Sequence, residues 1–375
     1  MSANAETRVY ISCADDGDIV ALELNGQTGG LKMLGKTKAG KVVMPMAVSP
    51  DRRYLYAGIR SVPYGYASYA IDPDKGLLTH LSTVPAPDNM TYIATDRTGR
   101  FLLGASYAAH RVSVNPIGKT GAVQAEATQI METERHAHAI LTDSSNRFVF
   151  VPLLGADLIL QMTFDEKKGI MSPNHPAEIK TGANAGPRHI VFSPGNRFVY
   201  VVTELTGMVY AYALDGKTGL LKEIQSISAL PAHSNLLPGK VGTPIGGPHP
   251  HPTPEPVSDD KEPRIQAADI HITPDGRFLY ASERTSSTLA AFAVDGTTGL
   301  LHYLDQYDTE TEPRGFAIAP GGRFLIAAGQ KSGHCQVYRI DPGTGGLKRL
   351  NRVPVGGNPT WMEVVDLPQS GRAAG

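Results

Sequence analysis

Apolar and polar residues alternate with a period of two along most of the chain, in short runs closed by Gly, Pro, Asn or Asp. That pattern predicts half-buried β-strands joined by tight turns. The stretch GPRHIVFSPGNRFVYVVTEL, residues 186–205, is one example: two strands around the turn SPGNR. No amphipathic period of 3.6 is visible, which excludes helical and leucine-rich solenoids.

The stretch has siblings. SPDRRYLYAG, TDRTGRFLLG, TDSSNRFVFV, SPGNRFVYVV, TPDGRFLYAS and APGGRFLIAA each place a turn before an alternating strand. Their shared arginine falls at Arg53, Arg100, Arg147, Arg197, Arg277 and Arg323, in steps of 47, 47, 50, 80 and 46 residues. A second signature follows each, a polar hairpin turn closed by glycine at Gly29, Gly76, Gly121, Gly169, Gly219, Gly299 and Gly345. Glycine there supplies the positive φ that such a turn needs. A repeat of this length holding four short strands is a propeller blade.

Seven copies of one signature against six of the other point to seven blades. The N-terminal strands TRVYISC, DIVALEL and LKMLGK lack an inner strand before them, and the closing segment PTWMEVV is an inner strand with nothing after it. Together they predict a mixed blade that closes the ring and removes its open edges. The expected organisation is an all-β, seven-bladed propeller over residues 6–367, with a flexible tail at 368–375. The 80-residue step contains a Pro- and His-rich loop insertion at 231–263, suited to a lid over one mouth of the channel or to a surface excursion. His233, His249 and His251 within it lack the rigid spacing of a ligand set, so no metal is expected.

Composition narrows the partners. The net charge of −1 and pI near 6.9 remove the electrostatic case for nucleic acid or an anionic membrane. No apolar stretch of about 18 residues occurs, and the N-terminus lacks a signal-peptide pattern, so a cytoplasmic location is expected. Cys13 and Cys335 are too few for a disulfide framework and read as buried thiols. Walker A, strand–GxGxxG–helix and GxSxG motifs are absent.

Charge breaks the repeat in one place, the start of each inner strand. Nine residues before the shared arginine stand Met44, Thr91, His138, Arg188, Ala268 and Arg314; eight before it stand Pro45, Tyr92, Ala139, His189, Asp269 and Gly315. Residues common to all blades serve the blade, whereas residues that differ at one mouth are free to serve a ligand. With His271, and with a second ring at the strand ends (Arg60, Tyr107, Glu204, Glu283, Arg284, Gln330, Lys331), these positions suit a small, oxygen-rich anion. Structural roles compete: Asp269 and His271 could tie neighbouring blades, His189 could be a wall histidine, and Glu204 could be only the ion-pair partner of Arg188.

PMAVSPDRRYLYAGIR, GPRHIVFSP, AADIHITPDGRFLYASERT, EPRGFAIAPGGRFLIAAGQKSG and PTWMEVV resemble the seven-bladed propeller lactonases of the 6-phosphogluconolactonase type, over about Arg8 to Val365. The wider family includes the 3-carboxy-cis,cis-muconate lactonizing enzyme. The resemblance implies His138, Arg188, Glu204 and Arg284 as catalytic residues, the last written ERT where the family has DRT. Tyr92 departs from the histidine of the enteric enzymes, and the 231–263 insertion departs as well.

The expected activity is hydrolysis of a sugar-acid lactone, 6-phosphogluconolactone or a related aldonate or aldarate lactone, without a cofactor. His138 or Glu204 would be the general base. Arg188 and Arg284 would support the oxyanion, and His189, Asp269, His271, Arg314, Gln330, Lys331 and Tyr92 would bind substrate. The alternatives are a cycloisomerase acting on carboxy-muconate-like dicarboxylates and a non-enzymatic ligand- or protein-binding propeller.

Overall fold

The computed structural model describes residues 6–243, 245 and 262–368. His249, His251 and residues 369–375 of the expected tail lie outside this set. The described residues form seven four-stranded antiparallel sheets and no helix. They make a seven-bladed β-propeller.

Six of the blades run from the axis outward in chain order. In the fourth, Pro187–Phe192 is innermost, followed by Phe198–Thr203, Met208–Asp215 and Leu220–Ser228. The second strand is buried at every residue because neighbouring blades cover both of its faces, which is why FVYVVT reads as a nearly continuous apolar run. The outer strand has one buried residue, Leu221, and is otherwise half-buried or exposed, as a sheet edge facing water is.

The ring closes through the expected mixed blade. Pro359–Leu367 is its inner strand and pairs antiparallel with Glu6–Cys13, with Val9 opposite Val364. Asp18–Leu24 and Leu31–Lys38 complete the sheet. Thr7 donates to Asp366 at 2.6 Å across the join.

The repeated arginine and glycine prove to be one device. Arg147, Arg197, Arg277 and Arg323 each lie over the ring of the following phenylalanine, within 5.0–5.7 Å of its centroid. The far end of the guanidinium donates to a carbonyl in the hairpin turn of the next blade: Arg100 to Glu166 at 2.6 Å, Arg197 to Gly296, and Arg277 to Pro342. The signature glycine of that turn lies against the same aromatic ring. Gly299 has φ +78° and faces Phe198, so a Cβ there would collide with the ring. Each turn is thereby latched to the preceding blade, and Tyr200 adds a hydroxyl bond to the Gly299 carbonyl at 3.1 Å.

The inner strands share an irregularity. Register shifts fall between Pro187 and His189, between Pro313 and Gly315, between Val43 and Met46, and between Ala267 and Ile270. A β-bulge leaves a residue without a cross-strand partner and re-aims its side chain. Arg188, Arg314, Met44 and Asp269 therefore stand on bulges, in the two columns where the sequence departs from its repeat.

The 231–263 insertion leaves the fourth blade after Ser228 and returns at Ala267. Its described ends are pinned together by a bridge between Leu237 and Arg264 and to the fourth blade by Gly239 donating to the Leu205 carbonyl at 2.8 Å. From there the chain reaches the second blade, where Tyr107 donates to the Gly242 carbonyl at 2.7 Å, and the connection before it, where Asn89 donates to the Ile245 carbonyl at 2.6 Å.

Candidate active site

Two cavities lined by described residues meet on the axis. The larger, about 400 Å³, follows the inner strands and is lined by Met44, Tyr92, Arg188, His189, Asp269, His271, Trp361 and Glu363 among others. The smaller, about 140 Å³, sits at the mouth under the insertion, between Arg60, Tyr107, Glu204, Lys240, Gln266 and Arg284. Thr91, His138 and Arg314 line both and mark the neck between them.

At the neck, bulge position and strand end cooperate. Arg188 is turned inward on its bulge, and Glu204 directly follows the adjacent strand. Arg188 Nε donates to Glu204 Oε2 at 2.7 Å, and Arg188 Nη1 donates to the Ala268 carbonyl of the fifth blade. Arg284, at the corresponding strand end of that blade, brings Nη2 to 3.0 Å from Glu204 Oε1 and donates through Nε to the Gln266 carbonyl at 3.0 Å. Burial alone would raise the Glu204 carboxyl, but the Arg284 and Arg188 guanidiniums outweigh it and hold it down at about 2. Glu204 is thus a fixed anion with both oxygens engaged.

His138 is 3% exposed and makes no side-chain hydrogen bond among the described residues. Burial, reinforced by Arg188, His189 and Arg314, holds its imidazole well below the usual value, so it is neutral at pH 7. Its ring packs edge-on to Tyr107 at 5.9 Å and tilted to His189 at 5.3 Å between centroids. Arg314 has no hydrogen-bond or ion-pair partner among the described residues. Burial and the facing Arg188, Arg284 and Arg60 depress its ionisation strongly.

Below the neck, Asp269 joins three blades. It accepts from His189 Nδ1 at 2.8 Å, from His271 Nε2 at 3.2 Å and from the Phe316 amide at 3.2 Å. The geometry is that of a strut in the channel wall. Burial opposes its ionisation, yet His271 and His189 keep it well below the carboxylate range. His189 is neutral, pushed down to about 4 by burial and Arg188, and its Nε2 has no partner. Tyr92 packs edge-on against His189 at 5.2 Å and Trp361 at 4.9 Å, extending the wall.

The structure thus brings His138, Arg188, Glu204, Arg284 and Arg314 together at the neck, and places Tyr92, His189, Asp269 and His271 deeper. Gln330 and Lys331 join neither group. Gln330 donates to Asn358 at 2.8 Å and Lys331 pairs with Glu312 on the outer rim, so neither lines a cavity. Glu283 faces away too, accepting from the Gln266 amide at 2.7 Å and from Ser286 at 2.6 Å.

Sequence reasoning gave no role to Asn89, Lys240, Trp361 or Glu363, which also face these cavities or brace them. Asn89 lies in a connection outside both aligned columns, so no repeat position flags it. Glu363 was legible in PTWMEVV as a charge on an inner strand. Its carboxyl is pushed up to about 7 by burial, although the Trp361 indole donates to it at 2.9 Å.

Comparison with known proteins agrees with this architecture. A family model described as lactonase, 7-bladed beta-propeller, matches residues 8–364. The chain is 39% identical to the 6-phosphogluconolactonase of Pectobacterium carotovorum over 96% of its length and 98% of that protein. It is 37% identical to the 6-phosphogluconolactonase of Serratia proteamaculans over 95% of its length and 98% of that protein. The periplasmic gluconolactonase PpgL of Pseudomonas aeruginosa superposes with a TM-score of 0.83 at 26% identity, covering 97% of this chain and 100% of that one. The chain belongs to the seven-bladed β-propeller lactonase family and is a lactonase.

Proposed function

We propose that the protein hydrolyses 6-phosphogluconolactone to 6-phosphogluconate, with His138 as general base. The charge imbalance at the neck carries this reading. Arg60, Arg284 and Arg314 line the smaller cavity, where Glu204 is the one carboxylate among the described residues. Several buried cations beside one anion are costly until a ligand offsets them. A phosphate monoester brings about 1.5–2 negative charges at pH 7, more than a plain sugar lactone can offer.

The chemistry follows from the protonation states. Glu204 is a weak base because its carboxylate is already stabilised by two guanidiniums. His138 is neutral and its Nδ1 has no partner among the described residues, and a bound phosphate would offset the Arg188, Arg314 and Arg60 charges that hold its basicity down, so that it can accept a proton from water. The water oxygen bonds to the lactone carbonyl carbon as His138 takes the proton. Arg188 and Arg284 stabilise the tetrahedral oxyanion. The bond from carbonyl carbon to ring oxygen then breaks, the proton on His138 passes to that oxygen, and the new carboxylic acid ionises to solvent. A cytoplasmic setting suits the free, buried thiols Cys13 and Cys335.

Proton release from 6-phosphogluconolactone and from gluconolactone, corrected for spontaneous opening, tests the assignment. Faster turnover of the phosphorylated lactone is the expected result. Turnover of gluconolactone alone would remove the phosphate from the reading.

A further inference from the structure

The mouth contains one group of donors that the hydrolytic step does not use. Arg60 follows the strand Tyr54–Ile59 and is 2% exposed. Its Nε donates to Asn89 Oδ1 at 2.6 Å; Nη2 reaches Thr91 Oγ1 at 3.4 Å and the Ile245 carbonyl at 3.3 Å; Nη1 lies 3.3 Å from Met44 Sδ. Every one of these acceptors is neutral. Among the described residues Arg60 has no ion-pair partner; burial opposes its charge, Tyr64 favours it and Arg188 opposes it.

Two further donors point the same way. Asn89 is fully buried and gives Nδ2 to the Ile245 carbonyl at 2.6 Å. Tyr107, 7% exposed, gives its hydroxyl to the Gly242 carbonyl at 2.7 Å. A guanidinium, an amide N–H and a phenol thus converge on main-chain carbonyl oxygens of one short segment. Lys240 and Arg314 line the same cavity. Carbonyls are the weaker acceptors for such a set, and an anionic oxygen would form shorter, charge-assisted bonds with it.

We infer that Arg60, Asn89 and Tyr107 form the phosphate subsite of the lactonase, and that the carbonyls of Gly242 and Ile245 hold the places of phosphate oxygens until substrate arrives. The inference rests on the reading of a phosphorylated lactone. The phosphate then sits against the first and second blades, on the insertion side of the neck, and the lactone carbonyl reaches His138. Selectivity for the phosphorylated substrate resides in residues that do not touch the reacting carbon.

Two measurements on purified full-length protein test this. The first is the ratio of kcat/KM for 6-phosphogluconolactone to kcat/KM for gluconolactone. Arg60→Met is expected to lower that ratio about 100-fold, roughly the loss of one buried charge-assisted pair. Tyr107→Phe, which keeps the ring and its packing, is expected to lower it about 5- to 10-fold, and Arg60→Lys to restore part of the loss. The second is calorimetric binding of 6-phosphogluconate and of gluconate, which needs no turnover.

An unchanged ratio in folded Arg60→Met and Tyr107→Phe would overturn the subsite while leaving the hydrolytic assignment intact. Wild-type protein that opens neither lactone, yet binds 6-phosphogluconate in an Arg60-dependent way, would overturn the hydrolytic assignment and support the subsite. Equal weakening of 6-phosphogluconate and gluconate binding in Arg60→Met would show a general rather than a phosphate-specific role and would overturn it.

Discussion

Arg188 Nε donates to Glu204 Oε2 at 2.7 Å, with Arg188 1% and Glu204 14% exposed at the side chain. A pair so placed acts as a unit. Arg188→Ala leaves Glu204 to Arg284 alone and removes the donor from the Ala268 carbonyl. The expected cost is about 3–5 kcal/mol in unfolding free energy and about 100-fold or more in kcat. Arg188→Lys should recover little of either, because an ammonium cannot serve both acceptors with the guanidinium's fixed fork. Urea denaturation and steady-state rates on the same preparations check both expectations.

Acid should expose the same pair. The Glu204 carboxyl is held at about 2 against an ordinary 4.5, so its stabilisation is present above pH 4.5 and is lost as pH falls toward 2. Asp269 is depressed as well and contributes in the same direction. Glu204→Gln is expected to flatten the fall in stability between about pH 4.5 and 2. A wild-type-like acid profile in that variant would contradict the depressed value.

Glu363 works in the opposite sense. Its folded value is raised from 4.5 to about 7 by burial, so the protonated form is favoured in the native state. That contribution is fully present below pH 4.5 and is lost as pH rises through about 7. Glu363→Gln, which stays neutral and can still accept from Trp361, is therefore expected to be more stable than wild type at pH 8, on the order of 3 kcal/mol. The two should be nearly equal at pH 4. Thermal melts at both pH values decide it.

The blade latch makes a purely structural expectation. Gly299→Ala puts a methyl group into the Phe198 ring at a position with φ +78°. Left-handed backbone costs an L-residue about 1–2 kcal/mol, and overpacking adds about 1–3 kcal/mol. A loss of 2–5 kcal/mol is thus expected, on the order of those sums, with little change in KM because the turn is far from the axis. Gly216, whose added Cβ would meet nothing within 4 Å, is the control and should tolerate alanine.

The ring, its mixed closing blade and the neck were legible in the sequence for the same reason: a repeat makes its departures visible. Arg197 and Gly299 recur in register, and they prove to be the two halves of one latch. Arg188 and His138 stand out because their columns hold unlike residues, and the bulges explain why those columns face the channel. The strand-end ring was less informative. It holds Arg60 and Arg284, which face the cavities, beside Gln330, Lys331 and Glu283, which turn to neighbours on the rim. Strand period alone does not say which way a side chain turns once the strand has ended. Asn89 was out of reach because it belongs to a connection, and its partner Ile245 is distant in sequence.

In the proposed reaction, neutral His138 draws a proton from the water that opens a phosphorylated lactone. The most direct measurement is background-corrected hydrolysis of 6-phosphogluconolactone by wild type and by His138→Gln of matched stability. Rapid turnover by wild type and a 10²- to 10⁴-fold loss in the variant are expected, on the order typical for a general base. Turnover no faster than buffer, or a His138→Gln rate within a few-fold of wild type, would contradict it.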